Sequence, residues 1–193
     1  MNKNLKIVSV EEAVGIVKSG DRVFFQGAAM TPNYLINHLC ERYNELKDVE
    51  IVQIHTDGDA PYIRDPYNKA FKLYSFFVGS NVRKGVNTNN GDYIPIFLIE
   101  IHWLFRRNIL PLDVAFIQVS PPDKHGYCSL GVSVDITLPA VQKAKKVVAL
   151  VNPQVPRTHG DGIIHASQID FAVTIDQPIH ESHSQKPSEV EIA

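Results

Sequence analysis

Cysteine, methionine and tryptophan are scarce in this chain, which has two, two and one of them among its 193 residues. The two cysteines, Cys40 and Cys128, lie far apart and outside any CxxC or Cys/His ligand spacing. That removes a disulfide framework and a zinc site from the expected features and makes a reduced setting the default. Neither sign of charge is in excess, since 19 Lys+Arg stand against 21 Asp+Glu for a net charge of -2. Such a balance creates no field to gather phosphate backbones or anionic lipid, so no nucleic-acid or membrane partner is expected. No apolar run approaches the roughly 20 residues that span a bilayer, and the opening MNKNLKIVSVEE lacks a signal peptide's apolar core. A soluble, cytoplasmic protein is expected. GxGxxG and GxxxxGK[ST] are both missing, so dinucleotide and P-loop readings have no motif to stand on.

With 44% hydrophobic and 21% charged residues, what is present suffices for one substantial core. Ser9 and Glu12 form an S-x-x-E capping box, followed by Val10, Ala13, Val14 and Val17 at helical spacing until Gly20. DRVFFQG (21–27) is apolar on both faces, the mark of a central parallel strand. Thr31 and Pro32 then read as the N-cap and first turn of a helix carrying Leu35, Ile36, Leu39, Tyr43 and Leu46. Further strands are expected over 49–56, 71–79, 113–120 and 147–153, and helices over 96–107 and 138–146, with a polar, turn-rich stretch at 80–95. Strands alternating with helices predict an α/β fold: a mostly parallel sheet covered by helices and joined by right-handed crossovers.

In such a sheet the carboxyl ends of the strands share one edge, where ligands bind. Three unusual loops are expected there: GAAMTP, SPPDKHGYCSLGVS and NPQVPRTHGDGIIHAS. One glycine alone is explained by a turn that needs positive φ, whereas three glycine-bearing loops on one edge favour a backbone shaped for an anion or oxyanion. His125, His159 and His165 lack the helical spacing of a zinc enzyme, and hydrogen bonding within loops accounts for them. Glu100 and His102 are two apart on one helix and face different sides. Gly126 to Gly131 reads G-x-x-S-x-G, not the G-x-S-x-G elbow, which leaves Ser129 weak as a nucleophile; Cys128 reads as a small apolar core residue.

The runs NVRKGVNTNNGDYIPIFLIEI, DVAFIQVSPPDKHGYCSLGVSVD and VNPQVPRTHGDGIIHASQIDFAV resemble the N-terminal half of the acetyl-CoA hydrolase/transferase family, and within it the 4-hydroxybutyrate CoA-transferases. The resemblance implies a CoA-transferase-like domain over 1–178 and a linker over 179–193 leading to a second domain. It also implies ping-pong transfer of CoA between acetyl-CoA and a short carboxylic acid, through acyl-glutamyl anhydride and glutamyl-CoA intermediates on a glutamate of that second domain. None of Glu100, Glu181, Glu189 and Glu191 matches that glutamate. No catalytic residue is therefore expected in this chain, no prosthetic group and no metal, with coenzyme A and acetyl-CoA as substrates. The substrate-facing positions implied are Gly27, Ala28, Ala29, Met30 and Thr31; Ser120, Pro121, Pro122, Asp123, His125, Gly126 and Ser129; and Asn152, Arg157, Thr158, His159 and Gly160. Implied partners are the second domain and another copy of the chain. The competing readings are a non-catalytic binding or assembly module that keeps the fold, and a sugar-phosphate isomerase, for which no acid/base pair or phosphate loop is assignable.

Overall fold

The computed structural model describes residues 5–88 and 90–181. In chain order it forms α1 (Val10–Gly15), β1 (Arg22–Phe25), α2 (Asn33–Glu41), β2 (Val49–Gln53), β3 (Phe71–Ser75), α3 (Ser80–Asn87) and β4 (Gly91–Tyr93). Then follow α4 (Leu98–Arg106), β5 (Val114–Val119), β6 (Tyr127–Ser129), α5 (Thr137–Lys143), β7 (Lys146–Val151), β8 (Ile163–His165) and β9 (Phe171–Thr174). Seven strands make one sheet in the order β4-β3-β2-β1-β5-β7-β9, and every neighbouring pair is parallel. β6 and β8 form a separate antiparallel pair.

The uninterrupted apolar runs are explained by two cores, one on each face of the sheet. Val23 and Phe25 of β1, Val114 and Phe116 of β5 and Val148 and Leu150 of β7 join one core, with α1 and α2 over them. Phe24, Ala115, Ile117, Val147 and Ala149 point the other way, into a core closed by Ile101 and Phe105 of α4 and Ala140 of α5. Successive side chains thus alternate faces while every one is buried, which is why these strands show no polar alternation.

The strand starts are tied together by Asp113. Its carboxylate accepts the Arg22 N–H at 2.8 Å and the Lys145 ammonium at 2.7 Å, joining the beginnings of β1, β5 and β7. Burial pushes this carboxyl up, but the hydrogen bonds from Lys145 and Arg22 outweigh burial and hold it below the usual carboxylate range.

Several elements differ from expectation. α1 stops at Gly15, and Val17 is buried from the turn that follows; Gly20 serves that later turn with φ 80. Tyr43 and Leu46 lie past the end of α2, which gives way to a 3-10 turn over Arg42–Asn44. The polar stretch after Gly79 contains α3 and the edge strand β4. α5 ends three residues before the expected 146, because Lys146 already begins β7. Residues 182–193, most of the expected linker, lie outside the described residues.

Candidate functional site

The strand order reverses direction between β1 and β5, which makes that seam the topological switch point, and β7 lies next to β5. The three glycine-bearing loops therefore leave three successive strand ends. At the seam the ladder is completed by a side chain. The register pairs Phe25 with Phe116 and brings Gln26 N–H to Phe116 O at 3.0 Å. The next main-chain donor, Gln118 N–H, goes to Gln26 Oε1 at 2.7 Å in place of the main-chain carbonyl. The same amide's Nε2 donates to Leu130 O and Ser133 O, both at 2.9 Å, pinning the turn that follows β6. Gln118 Oε1 in turn accepts from Asn152 Nδ2 at 3.2 Å, so one buried chain of amides connects β1, β5 and β7. At the end of β2, Gln53 is satisfied separately, accepting from Tyr62 Oη at 2.8 Å.

In the first loop, Gly27 is required by proximity: a Cβ there would lie 2.5 Å from His55 O. Ala28 adopts φ 50 and donates to His55 O at 3.1 Å. Met30 and Thr31 turn inward and are buried, leaving Ala28 and Ala29 half-open to the crevice. The Ala29 N–H has no acceptor among the described residues. Thr31 does not cap α2. Its hydroxyl donates back to Ala28 O at 2.7 Å and accepts from Asp57 N at 3.0 Å, while Pro32 occupies the N-cap position without a side-chain bond. The hydroxyl thus staples the first loop to the segment after β2.

The second loop is a closed hairpin. Asp123 Oδ1 accepts the N–H groups of His125 and Tyr127, each at 2.9 Å, and Gly126 makes the turn with φ 86. The hydrogen bond from Tyr127 N–H is the main reason the Asp123 carboxyl stays below its ordinary range. Arg157, from the third loop, lies across this hairpin: Nη1 reaches Ser120 Oγ, Pro121 O and Tyr127 O at 3.2 Å each, and Nη2 reaches Asp123 at 3.3 Å. The hairpin runs into β6, whose pairing with β8 binds the second and third loops to each other. Pro121, Pro122, Asp123 and His125 are exposed. Pro121, Pro122, Asp123 and Gly126 border a hollow of about 520 Å³ on the β9 side, shared with Leu5 and Val151, instead of facing the β1/β5 seam.

Ser129 is fully buried, and its hydroxyl accepts from Gly131 N and Thr158 N at 3.1 Å each. Thr158 Oγ1 closes the knot by donating to Gly131 O at 2.7 Å. Gly131 has φ 70, and a Cβ there would fall 2.6 Å from Met30 Sδ, so the first and second loops touch through these two residues. Burial pushes the Cys128 thiol up to about 11, which keeps it protonated at neutral pH. Asn152 is buried and also donates to Gln177 O at 2.8 Å, while His159 and Gly160 are exposed at the tip of the third loop. Gly27 to Thr31, Ser120, Ser129, Asn152, Arg157 and Thr158 thus form one hydrogen-bonded and packed assembly. The 121–126 tip, His159 and Gly160 extend outward from it. Of the other histidines, His165 bonds Ser167 Oγ at 2.8 Å within its own loop, and His183 lies outside the described residues.

Gln26, Gln53, Gln118 and His55 are not among the positions expected from the sequence. A signal existed for the first three: FFQG, IVQI and FIQV each place a glutamine at the end of an otherwise apolar strand. Asp135 is likewise not among the expected positions. It sits in the turn before α5 with φ 21 and accepts the Ile136 N–H. Its carboxyl reaches solvent, yet the surrounding protein withdraws enough water to raise its pKa against those hydrogen bonds.

A helix-covered parallel sheet with three interlocked loops at its switch point defines a CoA-transferase-like domain, and solved structures match it. RipA from Yersinia pestis superposes with a TM-score of 0.89 at 27% identity, over 95% of this chain and 45% of that one. A 4-hydroxybutyrate CoA-transferase from Porphyromonas gingivalis gives a TM-score of 0.78 at 31% identity, over 92% and 41%. By sequence, the chain is 47% identical over 186 residues to the succinyl-CoA:acetate/propanoyl-CoA:succinate CoA transferase of Fasciola hepatica, covering 94% of this chain and 38% of the relative. It is 42% identical over 188 residues to the 4-hydroxybutyrate coenzyme A transferase of Clostridium kluyveri, covering 97% and 44%. The acetyl-CoA hydrolase/transferase N-terminal domain model matches residues 3–180. The chain belongs to the acetyl-CoA hydrolase/transferase family, of which it carries the N-terminal domain. It spans less than half the length of these relatives. No helix among the described residues is long and apolar enough to cross a membrane.

Proposed function

We propose that this domain forms one wall of a CoA-transferase active site that moves CoA between acetyl-CoA and a short carboxylic acid such as butyrate or 4-hydroxybutyrate, the attacking glutamate coming from a second domain. The observation that carries the reading is 42% and 47% identity to two CoA transferases over nearly the whole chain. The crevice supports it chemically, since neither candidate nucleophile of the second loop is available: Ser129 is internally bonded and Cys128 is protonated.

In this reaction the glutamate carboxylate attacks the acetyl-CoA thioester, the C–S bond breaks, and CoA thiolate leaves an acetyl-glutamyl anhydride. The thiolate attacks the glutamyl carbonyl, releasing acetate and forming glutamyl-CoA. The incoming carboxylate attacks that thioester and displaces thiolate, which then attacks the new acyl carbonyl, giving acyl-CoA and free glutamate. Each attack puts negative charge on a carbonyl oxygen, and a preorganised N–H such as that of Ala29 would stabilise it. Energy is conserved from thioester to thioester, so no nucleotide is required.

Exchange of CoA from acetyl-CoA to butyrate, followed by mass spectrometry, tests the reading on the chain alone and on a chimera extended by the C-terminal segment of the Clostridium kluyveri relative. The chimera should exchange and the isolated chain should not. Exchange by the isolated chain would refute the placement of the nucleophile. Inactivity of a folded chimera would favour a non-catalytic module.

A further inference from the structure

The described helices of this domain finish in polar side chains, with one exception. Asn37 and Glu41 of α2, Arg83 and Lys84 of α3 and Gln142 and Lys143 of α5 all face solvent. α4 is apolar on both sides. Ile101 and Phe105 point into the core, yet Leu98, Ile99 and Trp103 are 66%, 78% and 42% exposed, and Phe97, just ahead of the helix, is 76% exposed. Ile99 and Trp103 are four residues apart and share a stripe, with Leu98 beside it. Phe77 and Tyr93, also exposed, carry the patch over the ends of β3 and β4. A helix that is apolar all round is a covered helix, and a contiguous apolar face of this kind marks a contact surface.

The face is corrugated. Leu98 is a ridge between two hollows, one of about 340 Å³ shared with Phe77 and Tyr93 and one of about 620 Å³ shared with Ile99 and His102. The Trp103 ring is already held in place by the Arg107 guanidinium at 4.5 Å and the His102 ring at 4.6 Å, so a partner meets it without having to order it.

Two observations say what covers this face. The chain spans only 38–45% of the relatives and structures it matches, so more than half of their length lies outside it. The course of the chain also leads there. β9 is at the far edge of the sheet, but beyond it Gln177 O accepts from Asn152 Nδ2 after β7, and His180 Nε2 comes within 4.0 Å of Asp57 Oδ2 after β2. Residues 177–180 thus cross the carboxyl edge of the sheet, past β5 and β1. The polypeptide that continues from Glu181 starts beside Asp57, two residues from His55, which lines the smaller hollow together with Leu98.

We propose that the outer face of α4, from Phe97 to Trp103, with Phe77 and Tyr93 beside it, is the docking surface for the second domain, whose apolar side chains fill the hollows on either side of Leu98. The inference rests on the transferase reading for its choice of partner. Docking there sets that domain against His55, whose carbonyl accepts the Ala28 N–H at 3.1 Å, and so one hydrogen bond away from the first loop.

The test compares the isolated chain with the chimera extended by the C-terminal segment of the Clostridium kluyveri relative, using hydroxyl-radical footprinting read residue by residue by mass spectrometry. Oxidation of Phe97 and Trp103 should fall in the chimera to the level of the buried Phe105, while Ile109, exposed beyond the end of α4 and close to the strand starts, should be oxidised equally in both. A second measurement needs no covalent link. Trp103 is the only tryptophan of the chain, so growth with 5-fluorotryptophan gives a single 19F signal, which the separately produced C-terminal segment should shift. Leu98→Asp combined with Ile99→Asp should weaken that binding at least about tenfold, because two carboxylates would have to lose their water. The same pair should leave the melting temperature of the isolated chain unchanged, since both side chains are exposed. Protection in the chimera or a shift in the mixture, lost in the double variant, supports the proposal, and absence of both overturns it. Dimerisation of the chimera in sedimentation experiments that the double substitution abolishes would also overturn it, because the face would then join two copies. The transferase reading stands or falls separately. Docking without CoA exchange keeps the surface and removes the reaction, and exchange by a chimera that leaves Trp103 open does the reverse.

Discussion

Gln26 makes three hydrogen bonds from one buried amide, and each of its three partners is a main-chain group. Removing the amide without removing its volume isolates their energetic effect. Gln26→Met should lower the free energy of unfolding by at least about 1–3 kcal/mol, the cost of leaving even one buried main-chain group unpaired. Urea denaturation reads the loss as a shifted midpoint at constant slope. Gln26→Glu keeps the acceptor for Gln118 N–H but sets a carboxylate against two carbonyl oxygens, so it should be worse than Met at neutral pH and recover as acid protonates it. A variant as stable as the parent would mean that the seam closes without the side chain. At this scale the sequence was readable for Cys128 and the glycines, because size and φ leave few choices. It misled at Thr31, where the Thr-Pro pair looks like a cap while the hydroxyl turns back to Ala28.

At the scale of elements, legibility followed burial. β1, β5 and β7 could be read from their apolar runs because both faces of each are covered. α3 could not, because Val82 and Gly85 are its buried positions and a glycine carries no pattern. Gly85 is instead a contact surface: a Cβ there would fall 1.8 Å from Ile63 Cγ1. Two effects compete in Gly85→Ala. Helix propensity favours alanine by about 0.8–1.0 kcal/mol. Overpacking against a buried isoleucine costs about 1–3 kcal/mol. The clash should win, and thermal melts should show destabilisation that Gly85→Ala combined with Ile63→Ala partly relieves. A more stable Gly85→Ala would show that Ile63 has room to move. β4 escaped notice for a related reason: it is three residues long and begins at Gly91, which packs on Leu73.

For the molecule as a whole, the edge opposite the crevice holds the sheet in register. Asp113 joins three strands there, and its pKa is lower folded than unfolded. Its contribution is therefore complete above the unfolded value of about 3.9 and fades as pH falls through the lower folded value. Asp113→Asn should lose about 1.5–3 kcal/mol at pH 7, the usual worth of hydrogen bonds to a charged group. Parent and variant should converge in strong acid, as melts across pH would show. A gap that persists unchanged at the acid end would assign the effect to geometry and not to charge. The fold could be derived from alternating strands and helices, because that pattern admits few topologies. The locking of the loops could not, because Arg157 and Asp123 are 34 residues apart and meet only through the pairing of β6 with β8.

That pairing has a mechanical consequence. Two of the three loops at the rim are stitched into a single ribbon and cross-braced by a guanidinium, so neither can flap by itself. Any widening of the rim on that side must then carry both loops together as one piece.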